Sequence, residues 1–495
     1  MEKLIDRARG VLLDIFADPG LFALLYFLHA AFSGASVLKP YSEVLFLVQR
    51  YLLIPWGVGL CLMRLQRAQS KRLFSAEVAV LALLIAWCIV PFALRFGITF
   101  SNATSWYGNT VAYFGLYAML LEDDPARRAR VLDRLCALSA VVSVLLGGAL
   151  LYTAATVQTF GLEYGSTGFG VMSGTLCAGV NYNATAMPAA ALAMLCLTGV
   201  ARRRHPLAKI AHAVPAAIML LVVVLTQSRT SRLALLMGLA ACVYGALCTR
   251  LKGSAPVRHG AGIACGLAVL VLGYMGAGAI TRAAVAHYNE VQAQAVAAAD
   301  CEDGVAALAE TADKPNGLNL LIAAAAAEEA QPAQTPAPTP KKSSARVRPA
   351  FDSTLSLRTQ KWGCLFDILR ENPKYLMIGF GPARVGYMMA ERIGLPGEEW
   401  MAVHNTYLQF IADYGLIGFA MIVAFFVIIA RPMLRAFYAR GAKHEAGTHV
   451  LGGLVVTALA TGLMENAPLE GLTPMNTMFF VALAILVASG RRTAR

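Results

Sequence analysis

The chain has 495 residues, 58% of them hydrophobic and 14% charged, with a formal net charge of +13. Soluble domains carry about 45–50% apolar and about 25% charged residues, so this balance excludes an ordinary water-soluble fold and points to lipid as the main solvent. Most Lys and Arg flank apolar runs, the positive-inside pattern, which argues against nucleic acid as the partner.

Residues 1–16, MEKLIDRARGVLLDIF, carry charges at Glu2, Lys3, Asp6, Arg7, Arg9 and Asp14. They read as a short amphipathic helix on the membrane surface, with no cleavable signal segment, and the first apolar run acts as an uncleaved anchor. Apolar runs follow near 20–38, 42–63, 74–95, 106–121, 131–155, 183–200, 210–227, 230–249, 260–280, 405–430, 447–464 and 474–490. Such runs are long enough to cross ~30 Å of hydrocarbon as helices. A spanning β-barrel would show alternating segments of ~10 residues, which are absent. Lipid cannot satisfy exposed backbone groups, so helices remain.

The connections alternate in charge. Four basic residues stand in each of 64–72, 127–134, 202–209 and 431–443, three in 250–258 and three in the last five residues, whereas 156–182 and 465–473 have none. The pattern predicts both termini on the cytoplasmic side and 281–404 outside the cytoplasm. The expected fold class is an all-α polytopic membrane protein of about twelve transmembrane helices, with a large loop between the ninth and tenth. Residues 1–280 hold the first nine spans. Residues 281–350 are an Ala/Pro-rich insertion, whose 283–330 part has helix-compatible composition and whose 331–350 part, QPAQTPAPTPKKSSARVRPA, reads as mobile. Residues 351–404 read as an ordered helical subdomain, with apolar periodicity through Leu357, Trp362, Leu365, Phe366 and Leu369, a helix end at Pro373 and a Gly-rich turn. Residues 405–495 hold the last three spans. The ten cysteines form no CxxC pair, and most read as small buried hydrophobes. Cys301 and Cys364 both fall in the loop, where a disulfide is open and undecided by sequence.

Three features carry chemistry. The first is Gln227-Ser228-Arg229-Thr230-Ser231-Arg232, at an extracytoplasmic junction of two apolar runs, where the positive-inside pattern disfavours cations. Spacing of three puts Arg229 and Arg232 on one helix face, and the helix N-terminus adds free N–H groups, which together suit phosphate. Snorkelling arginines at a helix end are the bland reading. The second is Arg358 with Lys361, at the start of the amphipathic loop helix. The third is Val403-His404-Asn405-Thr406-Tyr407, where His404 alone among eight histidines sits at the extracytoplasmic mouth of a span directly after the ordered loop. A neutral imidazole there accepts a proton near pH 7, and Asn405 either caps the helix or orients an acceptor. Gly379-Phe380-Gly381-Pro382 reads as a tight turn or as a close backbone approach to a sugar or pyrophosphate. No metal, nucleotide or other cofactor motif is present, and none is expected.

These residues resemble the O-antigen ligase and polymerase superfamily of membrane glycosyltransferases, which also includes bacterial protein O-oligosaccharyltransferases. Its signature is His then Asn, Ser or Gln, nine residues, then Gly-x-x-Gly. His404-Asn405, residues 406–414 and Gly415-Leu416-Ile417-Gly418 fit it. Ser228-Arg229 resembles the family's Ser-Arg pair at a helix junction, and Arg358, Trp362, Gly379 and Gly381 resemble its loop pattern. The resemblance covers roughly residues 210–430, and the insertion 283–350 departs from it. It implies a GT-C-like fold in the bacterial inner membrane. It also implies a glycan donor on undecaprenyl pyrophosphate, a periplasmic active site and, for the ligase branch, a lipid A-core acceptor. On that basis His404 is expected as general base, with Arg229 and Arg358 on the departing pyrophosphate. Ser228, Arg232, Lys361, Trp362, Asn405, Gly379 and Gly381 are expected around the substrate. Fixed arginines stabilise such a leaving group without a metal. The ligase branch is preferred over the polymerase and protein-glycosylating branches. A secondary transporter or lipid flippase is the competing class, but no internal repeat is visible and the unusual charges lie on one side of the membrane.

Overall fold

A computed structural model describes residues 15–33, 41–66, 75–93, 100–122, 124–156, 182–300, 353–382, 384–394, 403–440, 445–465, 469 and 473–493. Among them every regular element is helical. Helix α1 is Pro19–Ser33; α2, Ser42–Val48, runs through a π turn, Gln49–Leu53, into α3, Ile54–Gln66. Then come α4 (Ala76–Ala93), α5 (Phe100–Glu122), α6 (Pro125–Thr156), α7 (Tyr182–Arg202), α8 (Pro206–Leu225), α9 (Arg229–Arg250) and α10 (Ala255–Asp300). The loop region gives α11 (Ser353–Glu371), α12 (Pro373–Ile378) and α13 (Arg384–Ile393), and α14 (Thr406–Phe437), α15 (Thr448–Thr461) and α16 (Pro474–Arg492) close the chain. Residues 1–14 of the expected surface helix, the tract 331–350 and Cys301 lie outside the described residues.

Each apolar run of the sequence falls on one of these helices. Eight helices among the described residues are long and apolar enough to cross a membrane, and α1, α4 and α15 are shorter apolar helices. The expected boundary after residue 280 falls inside one continuous helix. At 46 residues α10 is roughly 70 Å long, more than twice the hydrocarbon thickness, so it projects well past it.

Ion pairs gather at one end of the bundle. Arg127 meets Asp18 at 3.0 Å and Arg202 meets Asp133 at 2.9 Å, while Arg202 also donates to the Ala446 carbonyl. Arg491 pairs with Glu77 and Arg492 with Glu445, joining the start of α4 and the start of α15 to the end of α16. These are the basic segments that the sequence placed together on one side. At the other end, α9 begins and α15 finishes. The two helices run antiparallel in close contact, because Gly238 and Gly453 leave no room for a Cβ against each other's backbone. Gly245 lies beside His449, whose Nε2 is 2.9 Å from the Thr249 hydroxyl. Continuing this register brings Arg229 level with the turn that follows α15.

The loop helices build a second core on the start of α14. Leu365, Ile368, Leu369, Phe380, Val385, Met389 and Val403 are buried there, and Arg392 ties α13 to α11 through Glu371 at 2.6 Å. Helix α11 ends at Glu371, as its periodicity predicts, but Pro373 opens a further short helix instead of a loop, since a proline at the first helical position needs no N–H partner. Phe366, expected on the apolar face, is 54% exposed. Cys364 is a free thiol within this core, and burial pushes its pKa up.

Candidate active site

The site lies where α11, the start of α14 and the turn after α15 converge. Val403 is held on both sides: its N–H donates to Gln409 Oε1 at 3.1 Å, and its carbonyl accepts from Trp362 Nε1 at 3.0 Å. The next residue, His404, has φ +54, a conformation that non-glycine residues adopt only when their surroundings impose it. Asn405 follows in extended geometry. Its Oδ1 accepts from the N–H groups of Tyr407 and Leu408 at 3.0 Å, and its Nδ2 donates to the Leu463 carbonyl at 3.0 Å. The side chain is therefore the cap of α14 and a brace to the turn after α15. The Thr406 N–H completes that joint, donating to the carbonyls of Gly462 and Glu465.

This joint delivers a residue that the sequence reading did not single out. Glu465 is 7% exposed, and its Oε1 accepts from Arg358 Nη2 at 2.6 Å. Its Oε2 lies 3.2 Å from His404 Nδ1. A carboxylate only accepts hydrogen bonds, so Nδ1 carries the hydrogen and the Nε2 lone pair is the basic one. The His404 side chain is 31% exposed, which leaves that edge open to a substrate. Arg358, 16% exposed, makes no other polar bond among the described residues. Burial rises from the imidazole to the carboxylate, the order required for a base backed by a fixed acid. The one sequence signal for Glu465 was its place: an acid at the tail of an apolar run, beside a connection free of Lys and Arg.

The other expected residues divide. Ser228 caps α9, its Oγ accepting from the Ser231 N–H at 3.3 Å, and Arg229 opens that helix half-buried. Arg232 turns the other way: its Nη2 donates to the Val224 carbonyl at 3.0 Å and to Thr281 Oγ1 at 3.3 Å, tying the end of α8 to α10. A cation beside the last carbonyls of α8 also suits that helix's dipole. Lys361 is buried one turn beyond Arg358, and Trp362 braces Val403.

Gly379, Gly381 and Gly415 form a lock. Helix α14 breaks at Gly415, with φ 71 and ψ 179, which releases carbonyls from the helical ladder. The Phe380 N–H takes the Ala412 carbonyl at 2.7 Å, the Gly381 N–H takes the Asp413 carbonyl at 2.9 Å, and Trp87 Nε1 takes the Tyr414 carbonyl at 2.8 Å. The Gly379 N–H is bonded to Tyr375 O. The amides of this turn are thus engaged within the protein and do not form a phosphate cradle. Trp87→Phe should leave the Tyr414 carbonyl unsatisfied and cost about 1–3 kcal/mol, read as a lower unfolding temperature in detergent with the helix content unchanged.

Among the described residues no three His, Cys, Asp or Glu side chains gather to hold a metal ion. Residues 214–423 match the family model described as O-antigen ligase. The match supports the O-antigen ligase superfamily for this chain. It spans Ser228-Arg229, Arg358, the glycine lock and His404, and stops before Glu465. The O-antigen ligase family implies a glycosyltransferase or ligase-type enzyme acting on a lipid-linked glycan in a membrane. A search of curated proteins returned no match.

Proposed function

We propose that this chain is an O-antigen ligase that moves a glycan from undecaprenyl pyrophosphate to a sugar hydroxyl of lipid A-core at the periplasmic face of the inner membrane. Twelve spans carry the site in this reading, with both termini in the cytoplasm. The observation that carries it is the His404–Glu465–Arg358 group: a base with one open edge, a buried carboxylate on its other nitrogen and a cation alongside. His404 Nε2 takes the acceptor hydroxyl proton as the oxygen bonds to the anomeric carbon. The bond from that carbon to the pyrophosphate oxygen breaks on the opposite face, with inversion. Glu465 stabilises the imidazolium, and Arg358 and Arg229 stabilise the departing pyrophosphate. Trp362, Gln409 and Asn405 hold His404 in its strained geometry, while Ser228 sets the start of the helix that presents Arg229. Lys361 adds positive charge near Arg358.

The test is a lipopolysaccharide gel from cells lacking this chain. The expected result is bare core, with long polymer left on the lipid carrier, restored by the wild-type chain. Core bearing one repeat would assign a polymerase. Unchanged lipopolysaccharide with unglycosylated periplasmic proteins would assign protein O-glycosylation.

A further inference from the structure

We propose that Arg50 binds the phosphate of a membrane lipid, at a site separate from His404. Arg50 is the eighth residue of the apolar span Glu43–Leu60. An ionisable residue at that depth is retained for a function by default. It also lies in the π turn Gln49–Leu53, a geometry that occurs frequently at functional sites.

The turn separates two neighbours. Gln49 faces inward and is buried, its Nε2 donating to Asn109 Oδ1 at 2.7 Å, and Tyr26 donates to the same oxygen. Arg50 is half-buried at the outer surface, with its guanidinium 5.5 Å from the centre of the Tyr51 ring. Around it Val44, Leu47, Tyr51 and Leu52 are exposed, so the surface beside the cation is apolar. No carboxylate pairs with Arg50 among the described residues. Glu43 shares its face but sits two turns away, roughly 10 Å along the axis. A guanidinium offers a planar fork that matches phosphate oxygens, and a snorkelling stem carries it toward the layer where lipid phosphates lie. Tyr51 suits that same layer.

Arg50 is on the half of the bundle that carries Glu465. Asn109 is one helical turn from Tyr113, which lies beside Thr473, Asn476 and Thr477 and stacks on Phe480 at 5.5 Å. Thr473 and Pro474 begin α16, eight or nine residues after Glu465. A lipid held by Arg50 therefore places its phosphate on the side of the membrane where the site opens. That phosphate comes either from a bilayer phospholipid or from a polyprenyl carrier.

The test uses the full chain in phosphatidylcholine nanodiscs doped with phosphatidylglycerol, with polyprenyl phosphate or with diacylglycerol, followed by native mass spectrometry of retained lipid. Arg50→Gln should retain about tenfold less of one or both phosphate lipids, with diacylglycerol unchanged and Arg50→Lys partly restoring retention. Loss of phosphatidylglycerol alone identifies a bilayer lipid, and loss of polyprenyl phosphate identifies the carrier. Equal retention by wild type and Arg50→Gln overturns the proposal, as does equal loss of diacylglycerol. If Arg50→Gln does not fold, a photo-crosslinking residue at position 51 reads the same site: preferential labelling of the phosphate lipids over diacylglycerol supports it, and equal labelling overturns it. His404→Ala should keep full retention, so failure of the transferase reading and failure of this site are separately visible.

Discussion

His404→Ala should reduce glycan transfer by about 10²–10⁴-fold, the range supplied by a positioned general base. The fold should survive, because His404 makes one side-chain bond and its backbone is held by Val403, Asn405 and Thr406. The measurement is turnover of a polyprenyl-pyrophosphate glycan by purified chain in liposomes, with the lipopolysaccharide ladder as the cellular readout. A normal ladder from a well-expressed variant would rule out the catalytic assignment. Glu465→Gln separates orientation from chemistry. The amide keeps the size of the carboxylate but loses the negative charge that faces both Arg358 Nη2 and His404 Nδ1. It should therefore lose most of the activity with little change in donor binding. The double variant His404→Ala, Glu465→Gln should be scarcely worse than His404→Ala alone, since residues that act as a unit are strongly non-additive. Additive losses would show that Glu465 acts through Arg358 on the donor instead.

Gly415→Ala should be the most destabilising single change in this region. Its φ of 71 is unfavourable for any side chain, and an added Cβ would collide with the Met377 carbonyl, a backbone atom that cannot rotate away. Strain and overlap together should cost about 3–5 kcal/mol. Gly379→Ala meets the same problem from the other side, against the Asp413 carbonyl at φ +84. Both should lower yield of folded protein and its unfolding temperature. Gly418→Ala should be milder, because its added Cβ meets the side chains of Tyr414 and Trp87 and the helix there keeps ordinary geometry. If Gly415→Ala folds as well as wild type yet loses activity, the glycine serves the substrate and not the lock.

The motif His404-Asn405 with Gly415-x-x-Gly418 thus mixes two purposes. Its first half carries the base and the cap of α14. Its second half is a helix break into which the loop subdomain fits. The spacing between them is the length of helix from Asn405 to the break, about 15 Å at 1.5 Å per residue. That distance fixes how far the Gly379–Gly381 turn sits from His404.

The sequence by itself determined the helices, because lipid-length apolar runs have one stable backbone solution. It also determined the grouping of Arg127, Arg202, Arg491 and Arg492, since basic connections alternate with neutral ones. His404, Arg229 and Arg358 were legible because each departs from its local background: a histidine at a helix mouth, an arginine against the charge pattern, a cation opening an amphipathic helix. Only the tertiary structure decided the role of Glu465, which is 61 residues from His404 and 107 from Arg358 in the chain. Local periodicity carries no information across such separations; the turn after α15 has to be bonded to Asn405 and Thr406 before the carboxylate can reach either partner. The same reason separates Arg229 from Arg232. Helical spacing puts them on one face, but Arg232 is drawn away by Val224 and Thr281, groups on two other helices whose packing no local pattern records.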